Sequence, residues 1–469
     1  MNALLALSIC ILGIAGLFFL DRDKSARTSP ALWLPLLYLL VIASRPVSVW
    51  LGGTSRTPSA EILAGTLEGS PVDAAWSGML IAGGIITLLL TRRRKTAAIL
   101  KASGPIVIYF MYCLLSTLWS PFPDASFKRW IKCAGDLIMV MVILTDAQPA
   151  AALQRLFSRI SFVLFPLSIV FIKYTSLGVS YDEQGPHYTG VTTNKNALGL
   201  MLYILTIGIV WNIRTLVMDK KSPNRIGRLV AQVTILAFGI VLLRVAHSAT
   251  GIFCFSLGGG LMLATGMPIV RKRTSILHVL CFGIFVLGLG GLFFGGSGAV
   301  ASAMGRTSDF SGRTEIWAAA IASEDSQWIG TGFESFWNKN NPKVVAILQA
   351  EGYADIANLN SAHNGYLQIY LDLGCVGVCL LLYVLATGYL RVVKAFRING
   401  ELGSLFLAYL MTCAFYSITE AGFRIMTLTW IFLLLAVVGA TGVNVGRVRV
   451  KERGSRIRIA PAAMENILV

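Results

Sequence analysis

The sequence predicts an all-α fold: a polytopic membrane helical bundle of about 12–13 transmembrane helices with one large external loop. Three observations predict it. Only 13% of the 469 residues are charged and 55% are hydrophobic, with a mean hydropathy of +0.70; soluble domains carry about 25% charged residues. The apolar residues recur in runs of about 20, the length that crosses the hydrocarbon core as a helix, and a helix satisfies its own backbone there. The net charge of +17 collects in short clusters between the runs, as on cytoplasmic loops.

Thirteen runs are candidate spans: 2–20, 31–51, 74–91, 104–120, 130–146, 160–176, 196–213, 228–247, 249–268, 274–296, 364–390, 402–418 and 425–443. The first lacks a basic n-region and a small-residue cleavage site, so it reads as a retained span and not a signal peptide. A basic cluster follows every odd-numbered run: Arg22/Lys24/Arg27, Arg92 to Lys95, Arg155/Arg159, Lys220 to Arg228, Arg271 to Arg273, Arg391/Lys394/Arg397, and the tail from Arg447 to Arg458. These segments are expected to be cytoplasmic, with the C-terminus inside and the N-terminus outside. All eight cysteines fall inside predicted spans. They read as small apolar residues, with no disulfide framework and no zinc site expected.

The chain divides into N-terminal spans (1–103), a central bundle (104–296), an external loop (297–362), C-terminal spans (363–443) and a basic tail (444–469). The external loop has 66 residues, four basic and seven acidic; a loop this long usually carries function. The stretch Glu315 to Ile321 suggests short helices lying over the mouth of the bundle. Basicity distributed in this way points to a membrane protein and not to a nucleic-acid partner. No P-loop, HExxH or carboxylate-rich metal constellation occurs, and no cofactor is expected.

Polar groups near membrane depth are expensive and mark candidate sites. On the expected external side they recur in five places: Asn360 to Asn364, Gly312 to Trp317, Thr192 to Gly199, Arg244 with His247 to Thr250, and Lys128-Arg129-Trp130 after Trp119 to Pro123. Each also has a bland reading. Asn196 and Asn360 suit helix caps, and Lys128, Arg129 and Arg244 suit snorkelling interfacial anchors. His187 and His278 read as structural. Asp136 and Arg45 lie within or near spans and need partners. If the five places converge, Arg313, Lys195, Arg129 and Arg244 gather cations on the side where the positive-inside rule gives no reason for them. Guanidinium suits phosphate. His363 beside them offers a base near neutral pH.

His363-Asn364, nine residues and then Gly374 resembles the signature of the O-antigen ligase and O-antigen polymerase family. So do Ser311 to Trp317, Gly330 to Phe336, Gly190 to Gly199, and Leu118 to Pro121 before Lys128-Arg129; the resemblance covers roughly residues 105–440. It implies a multi-spanning glycosyltransferase similar to the C-type class, in the bacterial inner membrane with its active site facing the periplasm. Such an enzyme moves a glycan from an undecaprenyl-pyrophosphate donor to an acceptor sugar hydroxyl, with inversion and without a metal. By that resemblance His363 is the base or acceptor-orienting group and Arg313 holds the leaving pyrophosphate. Lys195, Asn196, Arg244, Lys128, Arg129 and Asn364 then line the substrate. The chain departs from the family at Ser248-Ala249, where a basic residue usually follows the serine; Arg244, about one helical turn away, is the candidate replacement. The acceptor is a second glycan (polymerase) or lipid A core (ligase), and the stretch Asn194 to Gly199 looks more like exopolysaccharide-type polymerases. The competing class is a lipid-linked oligosaccharide transporter. Against it, the polar groups crowd one side and no internal repeat is found.

Overall fold

The computed structural model describes residues 3–23, 26–52, 70–182, 185–293, 311–350 and 361–464. Its main helices are α1 (Ala3–Leu20), α2 (Trp33–Ile42), α3 (Pro71–Ile86), α4 (Arg93–Ala102), α5 (Gly104–Leu115), α6 (Pro123–Leu144), α7 (Pro149–Tyr174), α8 (Lys195–Met218), α9 (Arg225–Val245), α10 (Ala249–Gly266), α11 (Thr274–Phe293), α12 (Ser311–Ala322), α13 (Pro342–Ala350), α14 (Gly365–Ile398), α15 (Gly400–Thr419) and α16 (Leu428–Met464). A hairpin of β1 (Val179–Asp182) and β2 (Gly185–Tyr188) pairs Val179 with Tyr188.

The all-α membrane bundle is as expected, but the count differs. Among the described residues nine helices are long and apolar enough to cross a membrane: α1, α3 with its continuation to Thr91, α7 to α10, α14, α15 and α16 as far as Arg447. A tenth is reached if α4 and the Gly104–Leu118 segment, bent by 86° at Ser103, are one span. Gly104 precedes Pro105, and a residue before proline is disfavoured in the α region. The other three apolar runs are helical but fall short. Pro30–Ile42 is too short, and so is Thr274–Ile284, the stretch of α11 whose side chains are described throughout. α6 has 22 residues but carries Lys128, Arg129, Lys132 and Asp136.

Burial ranks the helices from rim to centre. Within its most apolar window α1 is 17% buried, whereas α15 and the span of α16 are each 78% buried. At the centre Phe157 of α7 packs against Trp211, Tyr409 and Phe432. Polar contacts close both ends. At one end Arg92 pairs with Asp146 (3.0 Å), Arg228 with Asp23 (2.8 Å), and Arg214 and Arg271 share Glu401 (3.0 and 2.7 Å). At the other, Ser48 bonds Asp73 and Arg424 bonds Glu334. Every one of these pairs joins segments that the alternation of basic clusters assigns to one side. The two ends are called here the basic end and the loop end.

One device at the loop end shapes the rest. α14 is broken at Gly374, whose φ of 66° and ψ of −167° are not helical. The segment Gln327 to Gly332 enters the gap. Thr331 and Gly332 N–H donate to the Leu371 and Asp372 carbonyls (3.0 and 2.8 Å), and Cys375 and Val376 N–H donate to the Gln327 and Trp328 carbonyls (2.8 and 3.1 Å). The Tyr112 hydroxyl takes the Leu373 carbonyl (3.0 Å). Nine residues into α14, the crossing lies about 14 Å along the helix from its start, and the segment that enters the break is called re-entrant here. Asp372, buried, receives Ser335 and Phe336 N–H (3.0 and 2.9 Å) and the Gln368 amide (2.8 Å). Only glycine fits the crossing. A Cβ on Gly374 would meet Trp328 backbone at 2.3 Å, and one on Gly330 would meet residues 372–374 at 2.6 Å.

Arg45 fastens the hairpin. It is buried and donates to the carbonyls of Thr192 (2.9 Å), Gly190 (3.4 Å) and Leu177. Arg45 thus has the partners its sequence position demanded, as does Asp136, which accepts the Tyr38 hydroxyl (2.9 Å) and Met426 N–H (3.0 Å).

Gly374→Ala is expected to lose folded yield or thermal midpoint, since a left-handed alanine costs about 1–2 kcal/mol and overpacking adds about 1–3 kcal/mol. Gly259→Ala on α10, where a Cβ meets nothing within 4 Å, is the control expected to be neutral or stabilising. Fluorescence-detected size exclusion after heating reads both. Arg45→Met strips donors from buried carbonyls, at about 1–3 kcal/mol. Hydrogen exchange should rise across residues 177–192 and leave α15 unchanged.

Candidate functional site

The site forms where three helix ends meet. Asn364 caps α14, its side chain accepting Tyr366 and Leu367 N–H (both 3.0 Å). His363 is therefore fixed just outside the helix, with φ of 48°, a left-handed conformation uncommon for a residue with a side chain. α12 packs onto this entry: the Trp317 indole donates to the Ala362 carbonyl (2.7 Å).

His363 Nδ1 lies 3.1 Å from Glu420 Oε2. Glu420 ends α15, and its side chain is 10% exposed against 33% for the imidazole. Its other oxygen, Oε1, accepts the Asn196 amide (3.1 Å) from the first turn of α8. A carboxylate only accepts, so in the neutral imidazole Nδ1 carries the proton and Nε2 is the lone-pair acceptor. Nε2 makes no hydrogen bond among the described residues. A base held by a carboxylate that is itself held by an amide can take a proton from a hydroxyl while the carboxylate stabilises the resulting imidazolium.

Around this centre the expected residues separate. Lys195 Nζ is 3.3 Å from His187 Nε2 on β2, one residue from Asn196. Arg313 falls in the first turn of α12, four residues and so about 6 Å before Trp317; its side chain lies outside the described residues. Asn360 also lies outside them. Ser248 caps α10 through Gly251 N–H (3.3 Å), and Thr250 bonds Thr419 (3.3 Å), next to Glu420. Arg244 is exposed in the last turn of α9, its side chain making no hydrogen bond or ion pair among the described residues, and Lys128 is exposed on α6. The structure thus brings together His363, Asn196 and Asn364, keeps Lys195 beside them, and leaves Lys128 and Arg244 at the rim.

Arg129 is turned inward. It is buried and donates to the Glu334 carbonyl. Glu334 pairs with Arg424 (3.1 Å) and accepts Ile425 N–H (3.3 Å). Ser116 accepts Phe333 N–H, Ser126 donates to the Phe333 carbonyl, and Ser120 bonds Ser335. The stretch from Trp119 to Trp130 is therefore a cradle for the re-entrant segment.

The reading of the sequence missed Glu420, Arg424 and Glu334 as site residues and treated His187 as structural. A signal for two of them existed: Glu420 and Arg424 form the charged pair in the short connection between the last two apolar runs, on the side away from the basic clusters. Glu334 lay inside a quoted motif without a partner to explain it.

The family described as O-antigen ligase matches residues 196–382, a region that contains Asn196, Arg313, His363 and Gly374. The chain is also 20% identical over 315 residues, 66% of its length and 69% of the relative's, to the exopolysaccharide production protein ExoQ of Rhizobium meliloti (strain 1021). These matches, with the convergence of the His363 and Asn196 motifs on Glu420, show that the chain is similar to the O-antigen ligase/polymerase family and support its placement there.

Proposed function

We propose that the chain is a polysaccharide polymerase: a membrane glycosyltransferase that moves a glycan from undecaprenyl pyrophosphate to the hydroxyl of an acceptor glycan. The site faces the periplasm of a bacterial inner membrane in this reading. The observation that supports it most is the His363–Glu420–Asn196 relay at the loop end.

In this mechanism the acceptor hydroxyl donates its proton to His363 Nε2. Its oxygen attacks the anomeric carbon from the face opposite the leaving group, and the bond to the pyrophosphate oxygen breaks with its electron pair. The configuration inverts. Glu420 stabilises the imidazolium as it forms. Arg313 compensates the charge on the departing pyrophosphate, a task fixed cations perform well in a water-poor site. Lys195, one residue from Asn196, adds positive charge at the same mouth, and Asn364 holds the helix entry that carries the base. Arg129 acts through Glu334 in this reading. Lys128 and Arg244 are exposed at the rim, where they meet anionic lipid or glycan.

A ligase uses the same chemistry with lipid A core as acceptor, and the description of the matching family favours that second reading. Reconstitution in proteoliposomes with a synthetic undecaprenyl-pyrophosphate oligosaccharide separates the two. Longer glycans without another acceptor identify a polymerase; transfer only after lipid A core is added identifies a ligase. Movement of the donor between leaflets without transfer would refute both.

His363→Asn is expected to lower turnover by about 10²–10⁴, the range for a positioned base, and Arg313→Ala by about 10²–10³. Glu420→Gln should reduce turnover less than loss of the base. All three proteins should elute as wild type on size exclusion. Full activity in the His363 and Arg313 variants would sink the assignment.

A further inference from the structure

We propose that Glu334 and Arg424 are positioning residues for the reaction, a buried ion pair through which the re-entrant segment holds the Glu420 carboxylate against His363. This rests on the reading of His363 as the base.

Glu334 is gripped at both ends. Arg129 of α6 takes its main-chain carbonyl, while its carboxylate takes the Arg424 guanidinium at 3.1 Å and Ile425 N–H at 3.3 Å. The side chains of Glu334 and Arg424 are 5% and 9% exposed, so neither charge is presented to a substrate. The Glu334 backbone is left-handed, with φ of 51°, a conformation that persists only where the surroundings over-determine it. Its neighbours Phe333, Ser335 and Phe336 are tied to Ser116, Ser126, Ser120 and Asp372.

On the other side of the pair is the connection 420–427, which begins with Glu420. Its fastenings to the rest of the bundle beyond Glu420 include two buried carboxylates, Glu334 holding Arg424 and Ile425 and Asp136 holding Met426 N–H at 3.0 Å, and the Phe423 ring edge-on against Tyr366 of α14 at 5.0 Å. Gly422 N–H folds back on the Glu420 carbonyl at 2.8 Å, and a Cβ on Gly422 would meet Ser417 Oγ at 2.5 Å. The connection is thus a folded turn held at one end by α15 and at the other by Glu334. A shift at Arg424 must be taken up within the four residues back to Glu420.

Energetics separate this role from simple stabilisation. A buried ion pair can often be replaced by apolar residues of similar volume at no cost in stability, whereas removing one partner is strongly destabilising. The apolar pair Glu334→Leu with Arg424→Met keeps the volume and discards the geometry.

The test is steady-state kinetics in proteoliposomes with the lipid-pyrophosphate oligosaccharide donor, together with a thermal midpoint for each protein. The double variant should keep a near-wild-type midpoint and lose about 10–10² in kcat, the scale of a small misplacement of reacting groups, with donor KM unchanged. Glu334→Gln should lose kcat similarly, and Arg424→Lys should recover part of it. In a Glu420→Gln background, Glu334→Gln should change kcat by less than about twofold, because coupled groups are non-additive. Full additivity, a change in KM alone, or activity that merely follows the thermal midpoint would overturn the proposal. If His363→Asn and Glu420→Gln are themselves fully active, the base assignment falls and the proposal with it. If they are inactive while the Glu334 and Arg424 variants match wild type, only the positioning role falls.

Discussion

The backbone hydrogen bonds across the break in α14 are the constraint on which the loop end depends. Buried away from water, an unpaired N–H or C=O costs about 1–3 kcal/mol, so a helix cannot simply stop at the buried Gly374. Here another strand of main chain, residues 327–332, supplies donors and acceptors in register. Once that crossing is made, the positions of Glu334, Ser335 and Phe336 follow from chain length. So do the uses of Asp372 and of the three serines on the 116–126 stretch.

From that crossing, geometry passes outward through charge. Glu334 meets Arg424, Arg424 anchors the connection that starts at Glu420, and Glu420 joins the ends of α8 and α14 through Asn196 and His363. The three groups of this candidate site sit at the ends of α8, α14 and α15, and each is short of freedom. Asn364 and Asn194 cap their helices, and Trp317 pins the carbonyl before His363. Such rigidity suits chemistry that relies on a fixed electrostatic arrangement more than on reagents.

Much of the bundle was legible in the sequence, because hydropathy and the alternation of basic clusters act over whole segments. All thirteen apolar runs coincide with helices. Among the described residues the number fit to cross a membrane is lower, because α2 stops at Ile42, Ser103 bends a span by 86°, and α6 carries five charged residues. At the site, His363, Asn196 and Asn364 were legible as polar residues at the mouths of apolar runs. Arg129 was legible only as a cation. Its carbonyl partner is more than 200 residues away, and no local pattern distinguishes a buried cation from an anchoring one. Glycines 330 and 374 stood in recognisable motifs, yet their shared purpose is the crossing of residues 327–332 with α14, visible only in three dimensions.

The left-handed backbone at His363 also bears on how this position can vary over time. Few side chains tolerate that region; glycine, asparagine, aspartate and histidine do so more readily than the rest. Of those, histidine alone can both donate to Glu420 and keep a basic nitrogen free near neutral pH. Backbone shape therefore narrows the evolutionary alphabet at residue 363 before chemistry is consulted. A lineage that replaced the histidine with a side chain outside that short list would have to reshape the entry of α14, not merely change a codon.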